Sequence, residues 1–264
     1  MKGLVNHGNT CYFNSAVQCL LQVPCFANHL ILSKYRGSDP LVTEFQKIAK
    51  DLWIRKKDDP QPVDPRALLG HFVERHPQFV QGRQHDVQEA FLALLDDVEK
   101  EIPLAKEMFY SQVETEVVCP SGRKSTTEDM MCHFLYPKPG EDIQQVMART
   151  QEWETVEGYE DDHGKTWNVA ATRTAIKGSP KMVVFSMGVR NRMDVSPYLD
   201  INGVKYSLIT TAVHVGIQSG GHYASFGKHK GKWYLKDDES IREVDFPYSG
   251  ECHYLAIYYR QASS

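Results

Sequence analysis

The 264-residue sequence has no long apolar run and no excess of basic residues. Its apolar stretches, such as residues 182–185, are far too short to span a bilayer. The N-terminus lacks the apolar region of a signal peptide, so we expect an intracellular protein, cytoplasmic or nuclear, without a membrane partner. Acidic residues (34) outnumber basic ones (30), which leaves no basic field to attract nucleic acid. With 41% hydrophobic and 24% charged residues, the composition is typical of a globular protein.

Paired cysteines and metal-ligand motifs are also missing. The six cysteines include no C-x-x-C pair, and the eleven histidines include no H-E-x-x-H spacing. Because the expected compartment is reducing, free thiols are favoured over disulfides. The sequence therefore predicts no disulfide framework, no bound metal and no cofactor.

The two halves of the chain differ in hydrophobic period, which is helical up to about residue 105 and strand-like from about residue 110. Four helices are predicted: from Cys11, capped by Asn9 or Thr10, to before Pro24; over 41–52; over 64–76; and from Asp86 onward. Eight strands are predicted at 111–119, 131–136, 168–176, 181–187, 205–215, 222–227, 232–236 and 254–259. Residues 150–165 are predicted to form an exposed loop. Helices followed by antiparallel strands indicate an α+β fold.

Cys11 is the thiol with the most informative context. It stands at the predicted start of a helix, where unpaired N–H groups and the helix dipole favour negative charge. We therefore expect its pKa to fall toward or below neutrality, which would make it a reactive thiolate. A single cysteine in such a place is more often a buried structural residue, a role that fits Cys19 and Cys25 better.

A cysteine nucleophile needs a base that takes its proton and later protonates the leaving amine. His222 follows Gly220 and Gly221, and Asp237 ends a strand that can pair with the histidine strand through a hairpin at 229–231. An aspartate there could hold the imidazole in its working tautomer, and Asp238 could share or take that role. Taken singly, each feature is more often a glycine turn or a solvated strand end.

Together, these segments resemble the ubiquitin-specific protease family of papain-like cysteine peptidases. Residues 3–15 (GLVNHGNTCYFNS) resemble its cysteine box, and residues 221–226 (GHYASF) with 232–238 (KWYLKDD) resemble its histidine box. Residues 84–89 (QHDVQE) resemble the glutamine–aspartate motif that opens a helix in the family. The resemblance covers nearly the whole chain. It implies one catalytic domain over 1–264, with a helical thumb (1–105) and an antiparallel β palm with reduced fingers (106–264).

The resemblance also implies catalytic roles for the matching residues. Cys11 would be the nucleophile, His222 the base, and Asp237 or Asp238 the acid that orients the histidine. Asn6 would be the oxyanion donor that stabilises the tetrahedral intermediate.

A second group of residues would contact the substrate. Gln84, His85 and Asp86 match positions near the bound modifier's tail, where the Asp86 carboxylate could pair with a basic residue. Independently of the family, Asp86 reads as a helix N-cap, and both roles can hold together. Gly220 and Gly221 fit a channel too narrow for side chains, through which a tail ending in two glycines could pass.

The sequence departs from the family in the fingers. Members often carry two C-x-x-C pairs there that hold zinc, whereas Cys119 stands alone and 159–163 contains no cysteine. Cys132 and His163 do not replace four ligands. We therefore expect no zinc, and short fingers packed by their own side chains.

The resemblance implies a thiol-dependent isopeptidase that removes ubiquitin or a ubiquitin-like modifier from proteins by cleaving after its C-terminal Gly-Gly. We expect a monomer, and the sequence does not distinguish ubiquitin from its relatives. Two alternatives stay open: a non-catalytic module that binds the modifier, and a general papain-type peptidase. The presence of all the catalytic residue types argues against the first, and the narrow channel argues against the second.

Overall fold

The first half of the chain folds as a layer of helices, as its hydrophobic period predicts. The computed structural model describes residues 1–32, 35–54, 61–187, 194–217 and 220–262. The helices of this half are α1 (Cys11–Leu21), α2 (Pro24–Leu32), α3 (Pro40–Trp53), α4 (Arg66–Arg75), α5 (Val87–Glu101) and α6 (Leu104–Phe109). The four predicted helices are confirmed as α1, α3, α4 and α5. The sequence patterns did not predict α2 and α6; Pro24 ends α1 but also begins α2, because proline is tolerated in a first helical turn.

The second half is mostly strand, with one further helix, α7 (Ile143–Thr150). The first strands of the described residues are β1 (Ser111–Cys119), β2 (Gly122–Met130), β3 (His133–Phe134), β4 (Glu154–Val156), β5 (Tyr159–Glu160), β6 (Thr166–Trp167) and β7 (Ala170–Ile176). The later ones are β8 (Met182–Ser186), β9 (Tyr198–Ile201), β10 (Val204–Ile217), β11 (Gly220–His229), β12 (Lys232–Asp237), β13 (Ser240–Val244) and β14 (His253–Arg260).

These strands form one large sheet and two smaller ones. The large sheet has the order β13-β12-β11-β10-β14-β8-β3, with β9 paired to β10. Its pairs are antiparallel except for β3 with β8. A four-stranded sheet has the order β2-β1-β7-β4, and β5 pairs with β6 alone. The predicted α+β fold with an antiparallel sheet is therefore confirmed.

Each face of the large sheet covers an apolar core. In β8, Met182 and Val184 join the core shared with the helices, whereas Val183 and Phe185 join the core beneath α7 and β9. This alternation is the expected period of two along a strand.

Helix α1 is buried along its whole length. It is apolar on most sides because it packs between α5 and β11 rather than on the surface. Among the described residues, no single helix is long and apolar enough to cross a membrane. Helices α1 and α2 are long and apolar enough only when taken together, and the chain bends by 89° between them.

Several elements differ from the sequence predictions. Strand β2 is almost entirely exposed, and it is held by its ladder with β1 from Met130 to Gly122. The region 150–165, predicted as a loop, contains the short strands β4 and β5. Strands β9 and β13 and helix α7 are likewise additional to the prediction. The hairpin at 229–231 is confirmed, with positive φ at Lys230 and Gly231 as a tight two-residue turn requires.

The N-terminal segment crosses between the helices and the large sheet. Leu4 N donates to Asp238 O at 2.8 Å, and Val63 N donates to Gly3 O at 2.9 Å. Gly3 passes so close to the turn between β12 and β13 that a Cβ would lie 2.3 Å from Glu239 O and 2.4 Å from Asp238 O. Since no real side chain tolerates such contacts, glycine is required here.

We expect Gly3→Ala to lower the free energy of unfolding by about 1–3 kcal/mol, the usual cost of overpacking. Urea unfolding measures the change. Gly70→Ala is the matched control: Gly70 lies in α4 with open space around its Cα, so alanine there should raise stability by about 0.5–1 kcal/mol. Equal stabilities for wild type and Gly3→Ala would contradict this account of the crossing.

Candidate active site

The loop before α1 is organised around the side chain of Asn6. Its Oδ1 accepts hydrogen bonds from Gly8 N (2.9 Å), Thr10 N (3.3 Å) and Thr10 Oγ1 (3.1 Å). Thr10 occupies the N-cap position of α1 but its side chain makes no capping bond, and it accepts from His7 N at 3.0 Å instead. The predicted side-chain cap is therefore wrong. The hydrogen bonds of this loop to Asn6 hold the Asn6 amide in a fixed position five residues before Cys11.

The carboxylate of Asp238 joins this loop to the large sheet. Its Oδ2 accepts from Asn6 Nδ2 at 2.6 Å, and its Oδ1 accepts from Asn14 Nδ2 at 2.8 Å. Asn14 lies nearly one helical turn after Cys11 on α1. The backbone N–H of Asn6 donates to Glu239 Oε1 at 2.8 Å. Two acidic side chains on the turn between β12 and β13 thus hold the loop that carries the thiol.

His222 faces the end of β12. Its Nε2 lies 2.6 Å from Asp237 Oδ1 and 4.0 Å from Asp238 Oδ2. Because a carboxylate only accepts hydrogen bonds, Nε2 carries the proton of a neutral ring, and Nδ1 is left as the acceptor. Asp237 is the nearer acid, and the oxygens of Asp238 already receive two amide groups.

The Cys11 thiol lies beneath the same strand. The residue is 2% exposed, and its thiol has a hydrogen bond from the backbone of Tyr223, the residue after His222. Burial raises the pKa of Cys11 above its ordinary value of 9.0, the charge of Asp238 raises it further, and the backbone hydrogen bonds oppose both effects. The expected fall of this pKa is therefore wrong. Burial, which the sequence does not reveal, outweighs the favourable N-terminus of the helix.

Gln84 connects the helical layer to the histidine strand. Its Nε2 donates to Gly221 O, and its Oε1 accepts from Gly221 N at 2.8 Å. A Cβ on Gly221 would lie 2.4 Å from His214 Nε2, so the ring of His214 excludes any side chain there. Gly220 is exposed with open space around it, so packing does not explain this glycine.

The other two residues of the glutamine–aspartate motif mainly build the loop. Asp86 is the N-cap of α5, with Oδ1 accepting from Gln88 N at 2.7 Å, so the predicted cap is confirmed. Its Oδ2 accepts from the hydroxyl of Tyr254. His85 Nε2 contacts Val80 O at 3.0 Å, and its ring packs against those of Tyr12 and Phe79. The substrate-binding roles of His85 and Asp86 stay predictions.

Four residues of this region were missed as functional residues by the sequence patterns. Asn14 carries a usable signal, since a polar residue three positions after Cys11 shares its helix face. Glu239 and Tyr254 carry none, because their partners are distant in sequence, and the contact of His214 with Gly221 depends on the pairing of β10 with β11.

The described residues include one group with the geometry to hold a metal ion. It consists of His222, Asp237 and Asp238, whose candidate ligand atoms lie within 4.8 Å of one another. These atoms already serve the hydrogen bonds described above. Cys119 and His163 line one small cavity, of about 150 Å³, at the end of the β1–β2 hairpin.

A family model described as "Ubiquitin carboxyl-terminal hydrolase" matches residues 2–258. The chain belongs to this family. Ubiquitin carboxyl-terminal hydrolase 5 of Arabidopsis thaliana is 31% identical over 119 residues, which cover 42% of the chain and 13% of that relative. Ubiquitin carboxyl-terminal hydrolase 43 of Homo sapiens is 32% identical over 104 residues, which cover 38% and 9%. The matches thus span a small part of each relative's length.

Solved structures share the fold of this ubiquitin carboxyl-terminal hydrolase domain. The SAGA DUB module Ubp8/Sgf11/Sus1/Sgf73 bound to monoubiquitin matches with a TM-score of 0.85 and 18% identity, covering 100% of this chain and 70% of the other. The same module bound to ubiquitin aldehyde matches with a TM-score of 0.83 and 20% identity, with the same coverage. At such identities the likeness shows the fold, and the predicted α+β fold of ubiquitin-specific protease type is confirmed.

The raised pKa predicts how the thiol reacts with iodoacetamide. We expect the alkylation rate of Cys11, followed by mass spectrometry of its peptide, to rise with pH and to keep rising past pH 9, since only the thiolate attacks. The exposed Cys25 in the same sample is the internal control for the reactivity of iodoacetamide. A plateau below pH 7 would mean a preformed thiolate and would contradict the dominance of burial.

Proposed function

We propose that this protein is a thiol-dependent isopeptidase that removes ubiquitin or a ubiquitin-like modifier by cleaving after the modifier's C-terminal Gly-Gly. The observation that carries the proposal is that the adjacent carboxylates of Asp237 and Asp238 hold His222 and Asn6, while the charge of Asp238 also acts on the thiol of Cys11. Membership of the family supports it. So do neighbours of the same fold whose titles describe them as bound to monoubiquitin or ubiquitin aldehyde.

In this proposal Cys11 and His222 share the proton transfers. His222 Nδ1 takes the thiol proton as the sulfur attacks the carbonyl carbon of the modifier's last glycine. The resulting imidazolium is stabilised by Asp237, 2.6 Å from Nε2. It then protonates the lysine amine, the carbon–nitrogen bond breaks, and a thioester remains on Cys11. Water, deprotonated by His222, hydrolyses the thioester and restores the thiol. Because the thiol of Cys11 has a raised pKa, this base is needed to form the nucleophile.

Asn6 is the proposed oxyanion donor. One N–H of its amide is held by Asp238, and its Oδ1 is held by the loop before α1, so the amide cannot rotate freely. The second N–H of the same nitrogen is then oriented in advance, which is the condition for strong stabilisation of a developing negative charge. The role of Asp238 is therefore to position Asn6, and the role of Asp237 is to orient His222.

The proposed division of the domain follows from these positions. The thumb, predicted as 1–105, carries Cys11, and the palm within 106–264 carries His222. The reduced fingers correspond to the sheet of β1, β2, β4 and β7. We propose that the modifier's tail lies between thumb and palm beside Gln84, Gly220 and Gly221. A monomeric state and an intracellular location stay predictions.

A non-catalytic module that binds the modifier is the alternative, since the same fold could bind without cutting. The hydrogen bond between His222 and Asp237 favours the enzyme, because simple binding does not require an oriented imidazole.

We expect a covalent adduct when the protein is incubated with ubiquitin carrying a C-terminal thiol-reactive warhead, or with one member of a panel of ubiquitin-like modifiers similarly equipped. The shift on a denaturing gel should disappear in Cys11→Ala, whereas Cys25→Ala should retain it. An adduct with one modifier identifies the substrate class. A folded protein that forms no adduct with any modifier would contradict the proposal in favour of a binding module.

Substitutions of Asp237 and Asp238 should have different effects on kcat. We expect Asp237→Asn to lower kcat by about 10²-fold or more, the usual contribution of oriented acid–base catalysis. Asp238→Asn should lower kcat by about tenfold through loosened hydrogen bonds to Asn6 and Asn14. The same variant should speed alkylation of Cys11 at pH 7, because the charge that raises its pKa is gone. A larger loss of kcat in Asp238→Asn than in Asp237→Asn would contradict these assignments and would mean that Asp238, not Asp237, orients His222.

A further inference from the structure

The pair formed by Gln84 and Gly221 has the geometry of two peptide groups. Gln84 presents a carboxamide, which carries the same donor and acceptor as a peptide unit, and both backbone groups of Gly221 engage it. This two-point contact imitates an antiparallel strand pairing at one residue.

The contact lies on an open strand edge. On one side, β11 pairs with β10 from Gly220 to Gly227, with Gly221 opposite Gly216. On the other side, its pairing with β12 covers only Ser225 to His229. Residues 220–224 therefore have no strand partner on that edge within the described chain, and Gln84 covers its beginning.

The same edge leads to the reactive thiol. Backbone groups of alternate residues point to the same side of a strand, so Gly221 and Tyr223 face the open edge together. The backbone of Tyr223 makes the hydrogen bond to the Cys11 thiol. An extended peptide paired at Gly221 would thus run toward the sulfur.

We propose that Gln84 is an internal competitor of the modifier's tail: its side chain occupies the backbone groups of Gly221 that the tail needs, and the tail must displace it to reach Cys11. The inference rests on the proposed function and adds a regulation of the same site. It differs from the predicted role of Gln84, which was a direct contact with the tail.

The surroundings of Gln84 allow this displacement at low cost. The loop is fixed on both sides, by Asn9 Nδ2 donating to Gly82 O at 2.8 Å and by the cap of Asp86 on α5. Gln84 itself is exposed, so its side chain can rotate to water without moving the loop. Exchange of protein partners for water partners makes the net contribution of such bonds modest.

The test compares Gln84→Ala with wild type on a peptide ending in Arg-Gly-Gly with a C-terminal aminomethylcoumarin. We expect KM to fall about fivefold at unchanged kcat, because the tail no longer competes with two hydrogen bonds. The rate constant for alkylation of Cys11 by iodoacetamide should stay the same, since this reagent needs no pairing at Gly221. Gln81→Ala is the matched control, an exposed glutamine of the same loop, and should leave KM unchanged.

The outcomes separate this inference from the proposed function. If wild type cleaves the peptide and Gln84→Ala raises KM, Gln84 binds the tail and the competitor role is overturned. If kcat falls and the alkylation rate of Cys11 changes with it, Gln84 positions the site instead. If wild type cleaves no peptide and forms no warhead adduct, the proposed function itself fails, and the inference falls with it.

Discussion

The carboxylate of Asp238 is the contact on which the rest of the site depends. It accepts one amide from the loop before the thiol (Asn6) and one from the helix that carries it (Asn14), at 2.6 and 2.8 Å. Its own backbone is held by Leu4, and its neighbour Asp237 holds His222. One turn of the sheet therefore sets Asn6, Cys11 and His222, the proposed oxyanion donor, nucleophile and base, in a common frame. A charged acceptor is suited to this task because its hydrogen bonds are stronger than neutral ones.

This frame has a chemical consequence. Burial and Asp238 both disfavour the thiolate of Cys11, so the arrangement that positions the proposed nucleophile also favours its protonated form. A protonated thiol is less exposed to adventitious alkylation and oxidation than a free thiolate. In the proposed mechanism, activity then depends on His222 and on the approach of the carbonyl. Gln84 adds a second condition, because its hydrogen bonds to Gly221 must break before a modifier tail can pair with this strand edge.

The sequence predicts local features well and long-range contacts poorly. The stripe on α5 and its Asp86 cap are local patterns, and the hairpin at 229–231 follows from turn chemistry. Strand β2 escapes prediction because both its faces are exposed and only its ladder defines it. The bonds between Asn14 and Asp238 and between Gln84 and Gly221 join residues 224 and 137 positions apart, beyond any local pattern. The predicted direction of the Cys11 pKa shift is wrong for a related reason, because burial is a property of the packed molecule.

The central claim is that Cys11 acts as a nucleophile under general-base control by His222. Rapid acid quenching during cleavage of a ubiquitin conjugate, followed by peptide mass spectrometry, tests it most directly. The account predicts a thioester between Cys11 and the modifier's last glycine, present in wild type and lost in His222→Ala. Cleavage without such a thioester, or a thioester on another cysteine, would contradict it.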